Sequence, residues 1–220
     1  MKHNFKLLFA VSLLIFVSLA CSTDILPGES DATSTDEIAL FQDDFSDPTS
    51  GWDQVSNEEG ITDYESGTYR ILVNVSQIDY WANPGLNFGD VVVEVDTTKA
   101  GGPDDNDFGV ICRYLDEDNF YFFLISSDGY YAIGKTTNGE QVLLQPAGQM
   151  QPSEAVFTEK AENHLRAECV GSHLTLVVNG NLVAETDDSS FSNGDVGLMA
   201  GAFDESGVDI RFDNFTVKEP

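Results

Sequence analysis

Two carboxylates at alternate positions, Glu94 and Asp96, form the arrangement in this sequence that comes closest to a catalytic pair. Alternate residues of a β-strand face the same side, and retaining glycoside hydrolysis needs two carboxyl groups about 5 Å apart on one side of the substrate. A third acid at the next alternate position, where the proton donor should stand, is missing, because that position holds Thr98. We therefore expect no such reaction, and we interpret the two acids as the solvated face of a strand whose valines point inward.

A second set of residues combines charges with aromatic rings. If Phe108 and Cys112 face the core, strand alternation places Arg113 on the outer face of its sheet. Charged groups that bind two hydroxyls, together with stacking rings, suit a carbohydrate, although cross-strand ion pairs without a ligand also explain the pattern. The two tryptophans, Trp52 and Trp81, either pack in the core or rim or serve as sugar platforms. The candidate binding residues are Glu94, Asp96, Arg113, Tyr121, Tyr131 and Lys135.

An acidic turn offers a candidate metal site. Asp104, Asp105 and Asp107 follow a Gly-Gly-Pro segment, and calcium takes six to eight oxygen ligands of this kind. The spacing is not that of an EF-hand loop, so an ordinary solvated turn is the alternative. Calcium is the only cofactor that the sequence suggests, because no serine elbow or glycine-rich phosphate motif is present.

Two of the three cysteines are predicted to form a disulfide. Cys112 and Cys169 each lie in an apolar, strand-like run, and alternation points both inward. An exported chain favours oxidation of such a pair. The alternative is two buried free thiols.

The third cysteine, Cys21, ends a segment typical of export signals. Basic residues precede an apolar run from Leu7 to Ala20 that is too short to span a membrane. The stretch Ser18-Leu19-Ala20-Cys21 resembles a bacterial lipobox, in which the cysteine thiol is acylated; plain secretion or a tethering anchor is the alternative. We therefore expect a lipoprotein signal peptide over residues 1–20 and a protein exported and lipid-anchored to the bacterial cell membrane or envelope, facing outside the cytoplasm.

The charge of the chain limits its partners. The formal net charge is −28, and the first twenty residues contain two lysines and no acid, so the mature chain is more negative still. Nucleic-acid binding depends on clustered basic residues, and anionic membrane surfaces would also repel this chain. We expect contact with a membrane only through the N-terminal lipid.

Beyond the signal, the sequence divides into a tether and one domain. Residues 21–40 are rich in Ser, Thr, Asp, Glu, Pro and Gly without a sustained apolar period, which indicates a disordered tether. Residues 41–217 alternate in short apolar runs separated by turn signals such as Asn179-Gly180. The best helical candidate is the segment 152–163, which is short and is equally consistent with a loop. The predicted strands are Val91–Thr98, Phe108–Tyr114, Phe120–Ser126, Tyr130–Lys135, Leu165–Val170, Leu174–Val178, Leu182–Thr186, Val196–Ala200 and Val208–Val217, so we expect an all-β fold, a single antiparallel β-sandwich.

Several short motifs, in this order, resemble the concanavalin A-like lectin/glucanase superfamily, in particular its laminin-G-like and 3-keto-disaccharide-hydrolase-like bacterial branch. They are Asp43-Asp44-Phe45-Ser46-Asp47 with Gly51-Trp52, the run 109–114 with Asn119-Phe120-Tyr121, Asp128-Gly129-Tyr130, the run 163–169, Val177-Val178-Asn179-Gly180 and Phe212-Asp213-Asn214-Phe215. The resemblance implies a jelly roll whose first and last strands pair and whose concave sheet is available for ligands. Calcium at a rim is common among the laminin-G-like relatives.

Fold does not determine function, so three hypotheses follow. The first is a surface-anchored lipoprotein with a non-catalytic sandwich that binds a carbohydrate or another cell-envelope ligand. The second is a glycoside or 3-keto-glycoside hydrolase, which only the resemblance suggests. The third is a structural envelope protein without a small-molecule ligand.

Overall fold

The computed structural model describes residues 39–220 of the chain, so the predicted export signal, Cys21 and most of the predicted tether lie outside the described residues. The described part is built almost wholly of strands, with one short 3-10 turn at Pro146–Gly148. No helix in this range is long and apolar enough to cross a membrane. In chain order the strands are β1 (Ala39–Asp43), β2 (Val55–Ser56), β3 (Gly60–Glu65), β4 (Thr68–Val73), β5 (Ile78–Ala82), β6 (Val91–Gly101), β7 (Asn106–Asp116), β8 (Asn119–Ile125), β9 (Tyr130–Thr137), β10 (Glu140–Leu143), β11 (Gln151–Pro152), β12 (Asn163–Val170), β13 (His173–Val178), β14 (Asn181–Asp187), β15 (Asp195–Ala202) and β16 (Val208–Lys218).

Within residues 39–220 the strands form two antiparallel sheets, which we call sheet A and sheet B. Sheet A has the order β14-β13-β12-β6-β16-β4-β3-β2, and β1 also pairs with β16. Sheet B has the order β10-β9-β8-β7-β15-β5, and β11 also pairs with β9. The first and last strands therefore pair, with Phe41 opposite Val217.

The inner faces of the two sheets enclose one large apolar core. Strand alternation supplies it, because every second residue of a strand such as Val91, Val93 and Val95 is fully buried. The predicted disulfide is confirmed: Cys112 of β7 is bonded to Cys169 of β12, with Cα atoms 6.9 Å apart. The bond links sheet B to sheet A through the core.

The nine predicted strands all form. The structure adds β1 to β5 before them, and β10 and β11 after β9. The turn at Asn179-Gly180 has positive φ at both residues, as a type I′ hairpin requires. Of the two alternatives for the segment 152–163, the structure has the loop and not the helix. The segment forms β11 and turns, in which the side chain of Asn163 hydrogen-bonds the backbone of Phe157 instead of letting a helix continue.

Candidate functional site

The six predicted binding residues do not share a face. Glu94 and Asp96 lie on the outer face of sheet A, where ion pairs occupy them. The carboxylate of Glu94 accepts from Lys218 Nζ at 2.5 Å and from Arg166 at 3.3 Å. Asp96 lies 2.7 Å from His164 Nδ1 and accepts from Asn214 at 2.9 Å. The interpretation of these acids as a solvated strand face fits this geometry.

Arg113 corrects the prediction of an outward-facing arginine, because its side chain is 1% exposed. The register of β7 against β8 shifts after Cys112, and Arg113 has a φ of +52°. This bulge breaks strict alternation, so Arg113 turns inward at the sheet edge and Tyr114 turns outward. The guanidinium donates to the carbonyls of Gly171, Phe191 and Cys169 and to Asp90. Arg113 therefore joins β12 to three connecting segments, those before β6, between β12 and β13, and between β14 and β15.

The two tyrosines and the lysine of the predicted group belong to the inner side of sheet B. Tyr121 is opposite Cys112 and fully buried, and its hydroxyl donates to Asp188 at 2.6 Å. Lys135 Nζ also donates to Asp188, at 2.5 Å. Burial raises the pKa of Asp188, but the hydrogen bonds from Lys135, Ser190 and Tyr121 outweigh it and hold that pKa well below its usual range. Tyr131 packs, half-buried, against the main core. The hydrogen bonds from Tyr121 and Lys135 to Asp188 hold the loop between β14 and β15.

The three candidate calcium ligands do not converge. Asp104 pairs with Lys99, Asp105 lines a shallow cleft with Asp128, and Asp107 is buried on the outer face of sheet B. Among residues 39–220, no group of three or more acidic, histidine or cysteine side chains is arranged to hold a metal ion. Calcium dependence of the domain stays a prediction.

The outer face of sheet B carries a second apolar cluster, which strand alternation places opposite the main core. Its members are each at most 3% exposed: Ile111, Phe120, Phe122, Leu124 and Met199. The partly buried ring of Trp81 packs on Phe120 with centroids 5.7 Å apart, and its Nε1 donates to the hydroxyl of Tyr114 at 3.4 Å. A face this well covered is not an open groove for a chain of sugars.

Curling of sheet B explains this burial. Its two edge strands, β10 and β5, are separated by four other strands, which would place them about 24 Å apart in a flat sheet. Instead, Gln141 Nε2 of β10 donates to Asp79 Oδ2 of β5 at 2.7 Å. Gly134 permits the curl, because a β-carbon there would lie 2.2 Å from the ring of Phe122. The edges of sheet B meet above its outer face.

A pair of carboxylates lies where the edges meet. The Oδ1 atoms of Asp79 and Asp107 both lie within 2.5 Å of the position that a β-carbon on Gly201 would take, so they face one another across this glycine. Asp107 is 6% exposed and its Oδ1 has no hydrogen-bond partner among the described residues. Burial, and then the charge of Asp79, raise the pKa of Asp107 well above its usual range. Burial also raises the pKa of Asp79, against the hydrogen bond from Gln141.

Asp79 separates two clefts. The first, which we call the acidic cleft, measures about 290 Å³, and its lining includes Asp79, Asp107, Gln141, Phe203 and Asp204. The second, which we call the β5 cleft, measures about 510 Å³ and lies between the edge strands of the two sheets. Its lining includes Asp53, Val55, Glu59, Asp79, Tyr80 and Trp81.

The two-sheet architecture recurs in solved structures. The carbohydrate-binding module CBM66 from Bacillus subtilis matches with a TM-score of 0.62 at 21% identity, over 77% of this chain and 96% of its own. A protein of unknown function with a galectin-like fold, also from Bacillus subtilis, matches with a TM-score of 0.61 at 11% identity, over 83% and 97%. A β-glucanase from Bacillus licheniformis matches with a TM-score of 0.60 at 10% identity, over 82% and 98%.

The chain has a concanavalin A-like β-sandwich fold. No family model and no curated protein matches its sequence. At these identities the matches establish the concanavalin A-like fold and leave the function to the site itself.

Within this concanavalin A-like sandwich, the sequence pointed to part of the site. Asp107 was a candidate as a metal ligand and Trp81 as a sugar platform, whereas Asp79 and Gln141 were missed. A strand signal could have placed Asp79 beside Trp81. In this segment the polar or amphipathic residues Asp79, Trp81 and the buried Asn83 alternate with Tyr80 and Ala82. Gln141 carried no signal, because only the curl of sheet B brings it to Asp79.

Proposed function

We propose that this domain binds a carbohydrate in the β5 cleft without cleaving it, and that the lipidated Cys21 anchors the protein outside the cytoplasm. The observation that supports binding is the pairing of Trp81 with Asp79 on one strand. The two residues alternate on β5, so they face the same side about 6.6 Å apart along the strand.

Sugar chemistry matches this pair. The C–H face of a sugar ring stacks on an indole, and a carboxylate accepts hydrogen bonds from sugar hydroxyls. Trp81 is only partly buried, so an edge or face of its ring is available in the cleft. The strong negative charge of the chain favours neutral or cationic saccharides over acidic ones.

A glycan-binding screen on the soluble domain tests the binding, with and without calcium. Trp81→Ala should weaken any bound saccharide about tenfold, since a lost stacking contact costs about 1.5 kcal/mol. Phe157→Ala is the matched control, because Phe157 is a 51% exposed aromatic residue that lines neither cleft. Binding that survives Trp81→Ala unchanged contradicts the proposed site.

Two further measurements address the rest of the proposal. No reducing sugar should be released from a bound oligosaccharide, and its release would favour the hydrolase hypothesis. Cys21→Ser should free the protein from membranes or leave its precursor uncut. A membrane-bound product without acyl chains would contradict lipidation.

A further inference from the structure

The carboxylate pair of the acidic cleft lacks a cation. Among the described residues, no lysine, arginine or histidine forms an ion pair with Asp79 or Asp107. Their only described side-chain donor is Gln141, a neutral amide, and it contacts Asp79 alone. Asp107 is buried and Asp79 is partly buried. Two such carboxylates that face each other without a positive charge need one from outside or a shared proton.

The pair is also aimed at a ligand. Asp107 is only 6% exposed and lines the acidic cleft. Its Oδ1 has no hydrogen-bond partner among the described residues. Gly201 leaves the space between the two Oδ1 atoms free of any side chain. A small cationic group entering this cleft would complete the unpaired acceptor and neutralise both charges.

The number of available oxygens separates the two kinds of cation. Calcium takes six to eight oxygen ligands. Asp204 also lines this cleft, but no group of three or more acidic side chains among the described residues is arranged to hold a metal ion. An ammonium group carries three hydrogen-bond donors and a compact single charge. Two facing carboxylate oxygens with one further acceptor or water satisfy it.

We infer that the acidic cleft recognises the ammonium group of an amino sugar whose ring stacks on Trp81, with Asp79 and Asp107 as the ammonium acceptors. This inference rests on the proposed function, because it names the saccharide class for the neighbouring cleft. Asp79 lines both clefts, so one sugar can reach the carboxylate pair and the indole together.

Two disaccharides with the same backbone test the inference by calorimetry. The first is glucosamine-β-1,4-glucosamine and the second is its N-acetylated counterpart, which has no charge. The short length and physiological salt limit non-specific attraction to the acidic chain. We expect the amine to bind at least tenfold more tightly at a pH where it is protonated.

Isosteric variants identify the groups responsible. Asp107→Asn and Asp79→Asn should each lower the affinity for the amine about tenfold or more and change that for the N-acetylated sugar little. Asp105→Asn is the control for charge alone. Asp105 lies outside the acidic cleft, and its substitution removes the same formal charge as the other two variants. Trp81→Ala should weaken both sugars. An equal loss with Asp105→Asn would overturn the inference, because it would show general electrostatic attraction.

The remaining outcomes separate the inference from the proposed function. Tighter binding of the N-acetylated sugar, still sensitive to Trp81→Ala, would overturn the amino-sugar assignment and leave carbohydrate binding intact. Calcium binding that Asp107→Asn abolishes, without amine binding, would reassign the cleft to a metal. Absence of binding to both disaccharides would refute the inference. If no glycan in the broad screen binds either, the proposed function is refuted as well.

Discussion

The outer faces of the two sheets treat charge in opposite ways. On sheet A, the basic residues Arg70, Arg166, Arg211 and Lys218 all pair with carboxylates at the surface. On sheet B, the described outer face has no basic residue, and its acids Asp79 and Asp107 share that face with the second apolar cluster. A face with matched charges has little left to offer a ligand, whereas an unmatched buried acid has an unfilled hydrogen-bonding capacity. This difference moves the candidate site from the predicted charged face to sheet B.

The largest effect should come from an arginine that belongs to neither face. Arg113→Met should lower the free energy of unfolding by about 3 kcal/mol or more. The substitution leaves three backbone carbonyls without the hydrogen-bond donors that Arg113 provides. Arg113→Lys should recover only part of the loss, since an ammonium lacks the planar set of donors. Urea unfolding measures both. A loss below about 1 kcal/mol for Arg113→Met would show that burial does not distinguish the arginines of this protein.

Gly201 tests how tightly the acid pair is held. Gly201→Ala should destabilise the domain by about 1 to 3 kcal/mol, because its methyl group would occupy the space between the two carboxylates. Gly89→Ala is the matched control: nothing lies within 4 Å of its added β-carbon, so a change within about 0.5 kcal/mol is expected. Equal thermal shifts for the two variants would mean that the acid pair adapts freely.

The pH dependence of stability distinguishes the two sheets by sign. Burial, and then Asp79, raise the pKa of Asp107 in the folded state, so the folded protein binds this proton more tightly than the unfolded chain does. That contribution makes the domain more stable as the pH falls through the folded pKa toward the unfolded value near 3.9. Asp107→Asn should raise the Tm at pH 8 and flatten its rise between pH 8 and 5.

Asp105→Asn serves again as the control for this pH profile. Burial, and then nearby carboxylates, raise the pKa of Asp105 as well, so this variant should change the slope in the same direction but less than Asp107→Asn does. Asp188 does not interfere, because its folded pKa is lowered and its stabilisation is lost only below the unfolded value near 4. A wild-type Tm that falls steadily from pH 8 to pH 5 would contradict the raised pKa of the pair.

The strands were predictable because their signals are local. Alternation in β6 and β12 and the Asn-Gly turn before β14 each depend on a few neighbouring residues. The inward direction of both cysteines followed from the same alternation, and so did the disulfide.

The prediction of which side chains of β7 and β8 face outward was wrong, for physical reasons that a local sequence pattern does not contain. The bulge at Arg113 adds one residue to β7 relative to β15, so Arg113 faces inward and Tyr114 outward, against the alternation. In β8 the run from Phe120 to Ile125 is apolar on both faces, because one face meets the main core and the other meets the curled cluster. No period remains that could show which face Tyr121 takes.

The acid pair depends on still longer distances. Asp79 and Gln141 are 62 positions apart in sequence, and they meet only because sheet B curls across four intervening strands. A sequence motif cannot encode such a meeting, so the site became visible only from the fold.

The smallest effect returns to the outer face of sheet A. Arg70 binds Asp63 through two hydrogen bonds, of 2.8 and 2.6 Å, and lies 3.2 Å from Glu65. These bonds raise the pKa of Arg70 further above its already high value, so the residue stays charged throughout the accessible pH range. Even so, the carboxylates are partly exposed, with side-chain exposures of 32% and 41%, and solvent screens such pairs.

Arg70→Gln should therefore lower the free energy of unfolding by only about 0.5 to 1 kcal/mol. The loss should shrink further in 1 M salt, where the Debye length falls to about 3 Å. Urea unfolding of Arg70→Gln and Arg113→Met at low and high salt compares the two arginines directly. A salt-independent loss at Arg70 as large as that at Arg113 would mean that the charges of sheet A are structural, and the contrast between the two faces would not hold.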